Sequence, residues 1–457
     1  MFSIGTSKMA GSRLGVVAAL LSISMLAGCD DLEDTLESAI HVSLEEARLP
    51  NGLRIILAED RDSPVISYQT WVKVGSVDEK PGKTGLAHLF EHLMFKGTSK
   101  HGPRDFFSRL ESKGAEVNAY TTRDYTVFYE NISPVLLDDV IELESDRLTG
   151  LVLTEALLAT EREVVFEERR LRTENSPVGR MQEALWQLAY SSHPYQWPTI
   201  GYVEDLRSLT VEDLRSFYGQ HYQPANTVIV VTGAIRSSEV LPKLKKAYGS
   251  IPEKKISPRK IALEPQQTEE KRIKVYDRVA SERFAVGYHV SSADQNDSYA
   301  LDVLCNILFN GQSSRAHRRL VEEKSIALSV GGAAYTPTFP GMLIYSGMMK
   351  GGVPSSQAIG AMDELVADLQ ATTVSAEEIS AAVRQLTVDL IESVRTPNGL
   401  AQLLGTVTTI LGEPERFRQD LAKYGKVMAV QVRGVARKYL KPTNRTVVEL
   451  MPEEIRK

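Results

Sequence analysis

The feature that most constrains the fold of this chain is a repeat of about half its length. The segment VEDLRSFYGQHYQPANTVIVV begins at Val211 and resembles AVQVRGVARKYLKPTNRTVVEL, which begins at Ala429. Each has a helical pattern, then Pro-x-Asn, then a β-branched stretch typical of a strand. The two prolines, Pro224 and Pro442, lie 218 positions apart. Duplication is the simplest explanation, so the sequence predicts two homologous domains.

Strand and helix patterns occur together in both halves, and this mixture predicts an α+β fold. Each domain is expected to be a mostly antiparallel or mixed sheet backed by helices. Residues 249–270 are rich in proline and charge and poor in periodic apolar residues, which is typical of a linker. The predicted domains are therefore residues 45–248 and 271–457.

The N-terminus predicts export and a lipid anchor. Lys8 and Arg13 precede an apolar run that ends in LAGC, four residues typical of a bacterial lipobox. We therefore interpret residues 1–28 as a lipoprotein signal peptide and Cys29 as the lipidated residue. An ordinary signal peptide or a short membrane anchor is the alternative.

Residues 29–44 are interpreted as an acidic tether. Its first aspartates, Asp30 and Asp31, resemble the signal that retains enterobacterial lipoproteins in the inner membrane. We expect a protein that is lipid-anchored in the bacterial cell envelope and faces the periplasm, with the inner membrane favoured over the outer. Cys305 has no disulfide partner once Cys29 is acylated, so burial of the core must stabilise the fold.

The charge balance argues against nucleic acid as a partner. The net charge is −6, with 53 basic and 59 acidic residues, and the sequence has no basic block of the kind that contacts phosphates. A hydrophobic content of 42% is that of a folded globular protein.

The run GLAHLFEHLMFKGT, residues 85–98, places polar groups in an otherwise apolar helical pattern, with Thr84 as a candidate N-cap. At about 100° per residue, His88 and His92 lie about 40° apart, and Glu91 lies about 60° to the other side of His88. All three share one helix face. Two imidazoles so spaced suit adjacent corners of a tetrahedral zinc site, and the carboxylate can then act on water. Core histidines bonded to backbone are the alternative.

A third metal ligand is predicted in the segment LLATEREVVFEERRLR. On a helix, Glu161 and Glu168 fall inside its apolar stripe, whereas Glu167 falls on the charged side. The stripe consists of Leu157, Leu158, Val164 and Val165. Glu161 or Glu168 is therefore the expected ligand, and the alternative is an exposed, salt-bridged helix without a metal.

These patterns resemble the inverted-zincin signature of the pitrilysin family of zinc metallopeptidases, in the bacterial two-domain form related to the subunits of mitochondrial processing peptidase. HLFEH is followed by Glu168 after 75 intervening residues. The likeness covers nearly the whole mature chain. It includes NGLRIIL from Asn51, VNAYTTRDYTVFYE from Val117, HPYQWPTIGYVEDLRSLT from His193 and GQSSRAHRRL from Gly311.

The resemblance implies a role for each residue of the pattern. His88, His92 and Glu168 would bind one zinc ion in the first domain, Glu161 would support the site, and Glu91 would be the catalytic base. Water activated by zinc would attack the peptide bond, and Glu91 would pass its proton to the leaving amine.

The resemblance also implies how the substrate is held. The two domains would form half of a clamshell, with a second domain that has no metal site. Asn118 and Ala119 match the family's edge strand, on which an extended peptide is held by main-chain hydrogen bonds. The substrates would be unfolded peptides or short proteins.

One departure from the family pattern concerns the second domain. Members that work alone carry Arg-x6-Tyr, which contacts the substrate, and the matching positions here are Val321 and Leu328. Neither side chain donates a hydrogen bond, and losing such donors costs about 100-fold or more in rate. We therefore expect a homologous subunit to supply the pair. The alternative is a non-catalytic peptide-binding or scaffold subunit of a membrane-attached complex.

Overall fold

Two mixed β-sheets, one in each half of the chain, form the framework of the protein. The structure is a computed structural model that describes residues 43–60 and 62–453. The predicted signal peptide, Cys29 and nearly all of the predicted tether lie outside the described residues. The strands are β1 (Leu44–Arg48), β2 (Arg54–Glu59), β3 (Ile66–Val72), β4 (Glu116–Thr121), β5 (Thr126–Ile132), β6 (Thr227–Gly233), β7 (Lys271–Asp277), β8 (Arg283–His289), β9 (Ala327–Tyr335), β10 (Met342–Met349) and β11 (Arg445–Pro452).

Helices pack on both sheets. In the first half they are α1 (Leu86–Leu93), α2 (Asp105–Leu110), α3 (Leu137–Gly150), α4 (Glu155–Arg169), α5 (Pro177–Ala189), α6 (Val203–Ser208), α7 (Val211–His221) and α8 (Ser237–Tyr248). In the second half they are α9 (Asp297–Phe309), α10 (Arg315–His317), α11 (Ser355–Ala371), α12 (Ala376–Ser393), α13 (Pro397–Leu411), α14 (Arg416–Gly425) and α15 (Ala429–Tyr439). A π-helical turn, Arg170–Glu174, extends α4.

The strand order shows the predicted repeat directly. The first sheet has the order β1-β2-β6-β3-β5-β4, and the second has the order β7-β11-β8-β10-β9. Each sheet contains one parallel pair, β2 with β6 and β7 with β11, and the other pairs are antiparallel. Apart from β1, the two sheets have the same topology. The prediction of two homologous α+β domains with helix-backed sheets is confirmed.

The four central strands of the first sheet, β2, β6, β3 and β5, are mostly buried on both faces because helices from both halves cover them. Alternate residues of β2 point to opposite faces. Ile55 and Leu57 pack in the core that contains α1, whereas Ile56 packs with Leu400 and Leu404 of α13. A helix of the second half therefore completes the core of the first.

The covering is reciprocal, since α5 of the first half packs on β7, β8 and β11 of the second sheet. The two covering helices begin alike. Ser176 precedes Pro177 and caps α5 by accepting from Gly179, and Thr396 precedes Pro397 and caps α13 by accepting from Gly399. This exchange makes the two halves one packed unit.

Residues 249–270, the predicted linker, contain no helix or strand and are tied to the first half by two side chains. Arg259 forms a two-pronged pair with Asp78, with nitrogen–oxygen distances of 2.8 and 2.7 Å. Glu264 accepts from the backbone amides of Ser191, Ser192 and His193. The segment lies fixed on the surface, and the exact domain limits stay a prediction. No helix in the described part of the chain is long and apolar enough to cross a membrane.

Candidate metal centre

The helix that carries the histidines, α1, begins at a glycine. Gly85 has φ +89°, and a Cβ there would stand 2.8 Å from the carbonyl oxygen of Ile200, so only glycine fits this left-handed position. The prediction of Thr84 as N-cap is wrong because its hydroxyl donates to Asp205 instead. Two amides at the start of α1 have their acceptor outside the helix instead.

A buried carboxylate, Glu79, caps α1. Its two oxygens accept from the backbone amides of Gly85 at 2.9 Å and Ala87 at 2.8 Å. Burial raises the pKa of Glu79 well above its ordinary value, although both amide bonds oppose this. The bonds fix the start of α1 one turn before His88, so they orient the histidine-bearing face.

The two histidines of α1 meet Glu168 of α4. Glu168 Oε2 lies 3.6 Å from His88 Nε2 and 3.3 Å from His92 Nε2. One ligand atom from each residue lies within 4.8 Å of the others, and this is the only such group of three found among residues 43–60 and 62–453. The helix angles in the sequence had placed these side chains on one face of each helix, and the packing of α1 on α4 brings the two faces together.

Glu161, the other candidate ligand, contacts the outer side of His92 and is not part of the group of three. Its Oε2 is 3.8 Å from His92 Nδ1, and its Oε1 is paired with Lys96 Nζ at 2.8 Å. It therefore faces the ring nitrogen of His92 that does not point at Glu168. A carboxylate in this position orients a metal-ligating imidazole and makes it a better ligand.

The electrostatics of the cluster favour a positive charge. Burial lowers the pKa of His92, but the carboxylates of Glu161 and Glu168 outweigh burial and raise it to about 9. Burial raises the pKa of Glu168, but His88 and His92 outweigh it and hold that pKa below its ordinary value.

The residues present fit a zinc ion. Ligand atoms about 2.0–2.1 Å from a tetrahedral zinc lie roughly 3.3–3.4 Å apart, close to the nitrogen–oxygen separations of 3.6 and 3.3 Å in this cluster. Two imidazoles and one carboxylate are the protein ligands of many catalytic zinc sites and leave a fourth position open. His88 Nε2, His92 Nε2 and Glu168 Oε2 are the atoms that would hold the ion.

Glu91 stands beside this group without joining it. Its Oε2 accepts a hydrogen bond of 2.6 Å from the hydroxyl of Thr121, the last residue of β4. Glu91 is half-buried, so its carboxylate is both fixed by a neighbour and within reach of solvent. These are the properties that a general base needs.

The predicted peptide-binding residues lie on an open sheet edge. Within the described residues β4 pairs only with β5, so its other edge has no partner strand. Asn118 is exposed in β4 and not in a turn, and its side chain accepts from the Ala119 amide at 2.8 Å. Such an edge can pair with an extended peptide.

Comparison with known proteins decides the family. The profile described as Insulinase (Peptidase family M16) matches residues 54–202, and the profile described as Peptidase M16 inactive domain matches residues 208–386. The zinc protease PqqE of Helicobacter pylori is 31% identical over 418 residues, which cover 89% of this chain and 93% of that protein. This chain belongs to peptidase family M16. The predicted resemblance is confirmed.

Solved structures show the same M16 architecture. A crystal structure of a protease from Helicobacter pylori matches with a TM-score of 0.86 and 28% identity, over 90% of this chain and 100% of that one. The periplasmic protease PqqL from Escherichia coli matches with a TM-score of 0.73 and 20% identity, over 90% of this chain but only 48% of its own. PqqL therefore contains about twice as much chain.

The second M16 domain has apolar residues at the two positions where the family's Arg-x6-Tyr pair is expected. Val321 lies in a π-helical turn, Arg318–Glu323, and packs against the core of the second domain. Leu328 lies near the start of β9 with 52% of its surface exposed. The structure thus gives neither position a side chain that can bind a substrate carbonyl.

Sequence patterns missed three residues that contact the candidate site, and they wrongly placed one residue of α4 in its buried stripe. Glu79, Lys96 and Thr121 act on the site through contacts between separate elements, and only the family motifs around them could have drawn attention to them. The apolar stripe of α4 was predicted to include Val164, but this side chain is 44% exposed. The buried stripe of α4 is narrower than predicted and consists of Leu158, Glu161, Val165 and Arg169.

Proposed function

We propose that this protein is a zinc-dependent endopeptidase that hydrolyses unfolded peptides or short proteins. The observation that carries the proposal is the convergence of His88, His92 and Glu168 beside the carboxylate of Glu91. The relatives named as zinc proteases, matched over most of the chain, support it.

Different residues of the chain would have different roles in hydrolysis. A zinc ion bound there would supply Lewis-acid chemistry, by polarising the scissile carbonyl and lowering the pKa of water. Glu91 accepts the proton of the attacking water and delivers it to the leaving amine. The open edge of β4 holds the peptide backbone in register, and Asn118 and Ala119 lie in this strand.

We further propose that a homologous subunit completes the active centre. Val321 and Leu328 cannot stabilise the charge that develops on the carbonyl oxygen, so donors must come from elsewhere. PqqL, with about twice the length, supports an assembly of two such units. The partner would carry the Arg-x6-Tyr pair that this chain lacks.

The proposed place of action is the cell envelope. Lipidation of Cys29 would attach the protein to a membrane, with the inner membrane favoured, and the peptidase domains would face the periplasm. Unfolded envelope peptides would then be its substrates.

A second candidate function is a peptide-binding or scaffold subunit without turnover. The absence of hydrogen-bond donors at Val321 and Leu328 favours it. The clustered carboxylates and imidazoles oppose it, because a site without chemistry gains nothing from burying charges.

The test is cleavage of a quenched-fluorescence peptide library by the purified, zinc-loaded chain and its Glu91→Gln variant. We expect Glu91→Gln to lower turnover by at least about 100-fold with unchanged zinc content. Glu167→Gln is the matched control, since Glu167 is exposed on the same helix as Glu168 and, within the described residues, pairs with Arg170 alone. It should leave turnover within about 2-fold.

Each outcome separates the proposals. Turnover by the chain alone, lost in Glu91→Gln, would establish a self-sufficient peptidase and refute the need for a second subunit. Turnover that requires a co-expressed homologue would establish the two-subunit enzyme. A zinc-loaded chain that is silent in both assays but binds peptide would be a scaffold.

A further inference from the structure

The side chain that holds the proposed base belongs to the strand on which the peptide would bind. Thr121 ends β4, and its hydroxyl donates to Glu91 Oε2 at 2.6 Å, a short charge-assisted bond. Asn118 and Ala119 lie three and two positions earlier on the same strand. One hydrogen bond thus joins the peptide-binding edge to the carboxylate of α1.

The surroundings of Thr121 fix the direction of this bond. The hydroxyl of Thr126 lies 3.5 Å from that of Thr121, and Thr126 donates its own proton to the carbonyl of Val74 at 2.9 Å. The single proton of Thr121 therefore goes to Glu91. The backbone beyond it is also fixed, because Thr122 Oγ1 accepts from the amides of Asp124 and Tyr125.

A hydroxyl is a suitable donor for this purpose. It binds one oxygen of Glu91 but does not give up its proton at ordinary pH, so the carboxylate remains a base. A lysine or histidine donor would add a charge beside the metal ligands and compete for the same role. With Oε2 held, Glu91 Oε1 is the oxygen left to accept a proton.

We propose that Thr121 is the positioning residue of Glu91, which directs Oε1 towards the attacking water and keeps the base in register with a peptide on β4. This inference rests on the proposed peptidase function. Misplacing a reacting group by about 1 Å costs on the order of 100-fold in rate, so one well-placed hydroxyl can have a large effect.

The test compares Thr121→Val, which keeps the shape and removes the hydroxyl, with Thr121→Ser, which keeps the hydroxyl. The full chain, with its homologous subunit if turnover requires one, is assayed for kcat, KM and zinc content. Crystal structures of the zinc-loaded forms show where the Glu91 carboxylate lies. Thr70→Val is the matched control, because Thr70 makes the same 2.6 Å bond to a buried carboxylate, Glu144, within the core.

We expect Thr121→Val to lower kcat by about 10- to 100-fold with KM and zinc content within about 2-fold, and Thr121→Ser to retain most of the activity. Thr70→Val should lower thermal stability and leave kcat within about 2-fold. Full activity in Thr121→Val, or equal losses in the serine and valine variants, would overturn the inference.

The crystal structures of the Thr121 variants test the positioning role of Thr121 even if no form of the protein cleaves peptides. In that case the proposed function fails, but the position of Glu91 can still be observed. A carboxylate that moves or spreads over several conformers in Thr121→Val, and not in Thr121→Ser, would support the positioning role. A carboxylate unchanged in Thr121→Val would refute it.

Discussion

The two halves use the same helix pair for different purposes. In the first half, α1 packs on α4, and the contact contains two imidazoles and two carboxylates. In the second half, α9 packs on α12 after the equivalent strand, and their contact forms part of one apolar core. The residues buried in α12 are Ala382, Val383 and Thr387, with no carboxylate among them.

This difference shows that the polar cluster is not required by the architecture. The second half builds a sheet of matching strand order and the same helix pair without a cluster of imidazoles and carboxylates between the two helices. Burying imidazoles and carboxylates costs free energy unless a cation or hydrogen bonds compensate for it. The first half buries these groups at the site where we propose catalysis. The described residues of the second half form no such site, and its helix α13 completes the core of the first half.

The largest effect that would sharpen this comparison concerns the metal. We expect His88→Ala to weaken zinc binding by more than about 1,000-fold, because loss of a ligand exceeds the about 10- to 100-fold cost of losing a supporting residue. His317→Ala, in the second half, should leave one zinc per chain. Metal analysis after dialysis against a chelator measures both, and unchanged zinc in His88→Ala would show that the ion binds elsewhere.

The next effect concerns buried charge in the core of each half. Arg147 is 1% exposed, contacts Glu130 and Glu144, and packs over Phe128. Arg147→Met should lower the free energy of unfolding by about 3–5 kcal/mol, because it leaves buried carboxylates without a cation. The measurement is a urea titration followed by circular dichroism.

Arg272→Met is the counterpart of that variant in the second half. Arg272 pairs with the buried Glu449, but the arginine is itself about one-third exposed, and Glu449 has a second polar neighbour in the Ser355 hydroxyl at 2.9 Å. We expect a cost of about 1 kcal/mol. Equal effects of the two variants would mean that the charge network of the first half is no more critical than a surface pair.

The last pair of variants, which includes the smallest predicted effect, tests the two covering helices, α13 and α5. A Cβ at Gly405 of α13 would stand 2.0 Å from Cε2 of Trp71, a rigid indole whose Nε1 donates to Gln69. Gly405→Ala should therefore cost about 1–3 kcal/mol of unfolding free energy. A Cβ at Gly287 of β8, beside α5, would meet the flexible Met342 at 3.0 Å, and Gly287→Ala should cost less than about 1 kcal/mol.

Thermal unfolding of the two variants makes this comparison. A tolerated Gly405→Ala would indicate that α13 can shift on the first sheet and that the halves are less tightly joined than the structure shows. If Gly287→Ala lost more stability than Gly405→Ala, the packing of α5 on the second sheet would be the tighter of the two contacts.

The sequence by itself determined the repeat, the mixed α+β fold and the two helix faces that carry the site. These follow from patterns within the sequence. The period of a helix fixes which side chains share a face, and the repeated segments indicate that the two domains have the same topology. His88, Glu91 and His92 could be placed together for that reason. The same rules misplaced the N-cap at Thr84, because they say nothing of a carboxylate that reaches α1 from another segment.

Only the tertiary structure decided how the separate elements meet. The helical period left Glu161 and Glu168 equivalent as ligands, and the packing of α1 on α4 puts Glu168 between both imidazoles and Glu161 beside Lys96. It also joins Thr121 to Glu91 and lays α13 across the sheet of the other half. Distances between elements depend on the whole core, so no local pattern contains them.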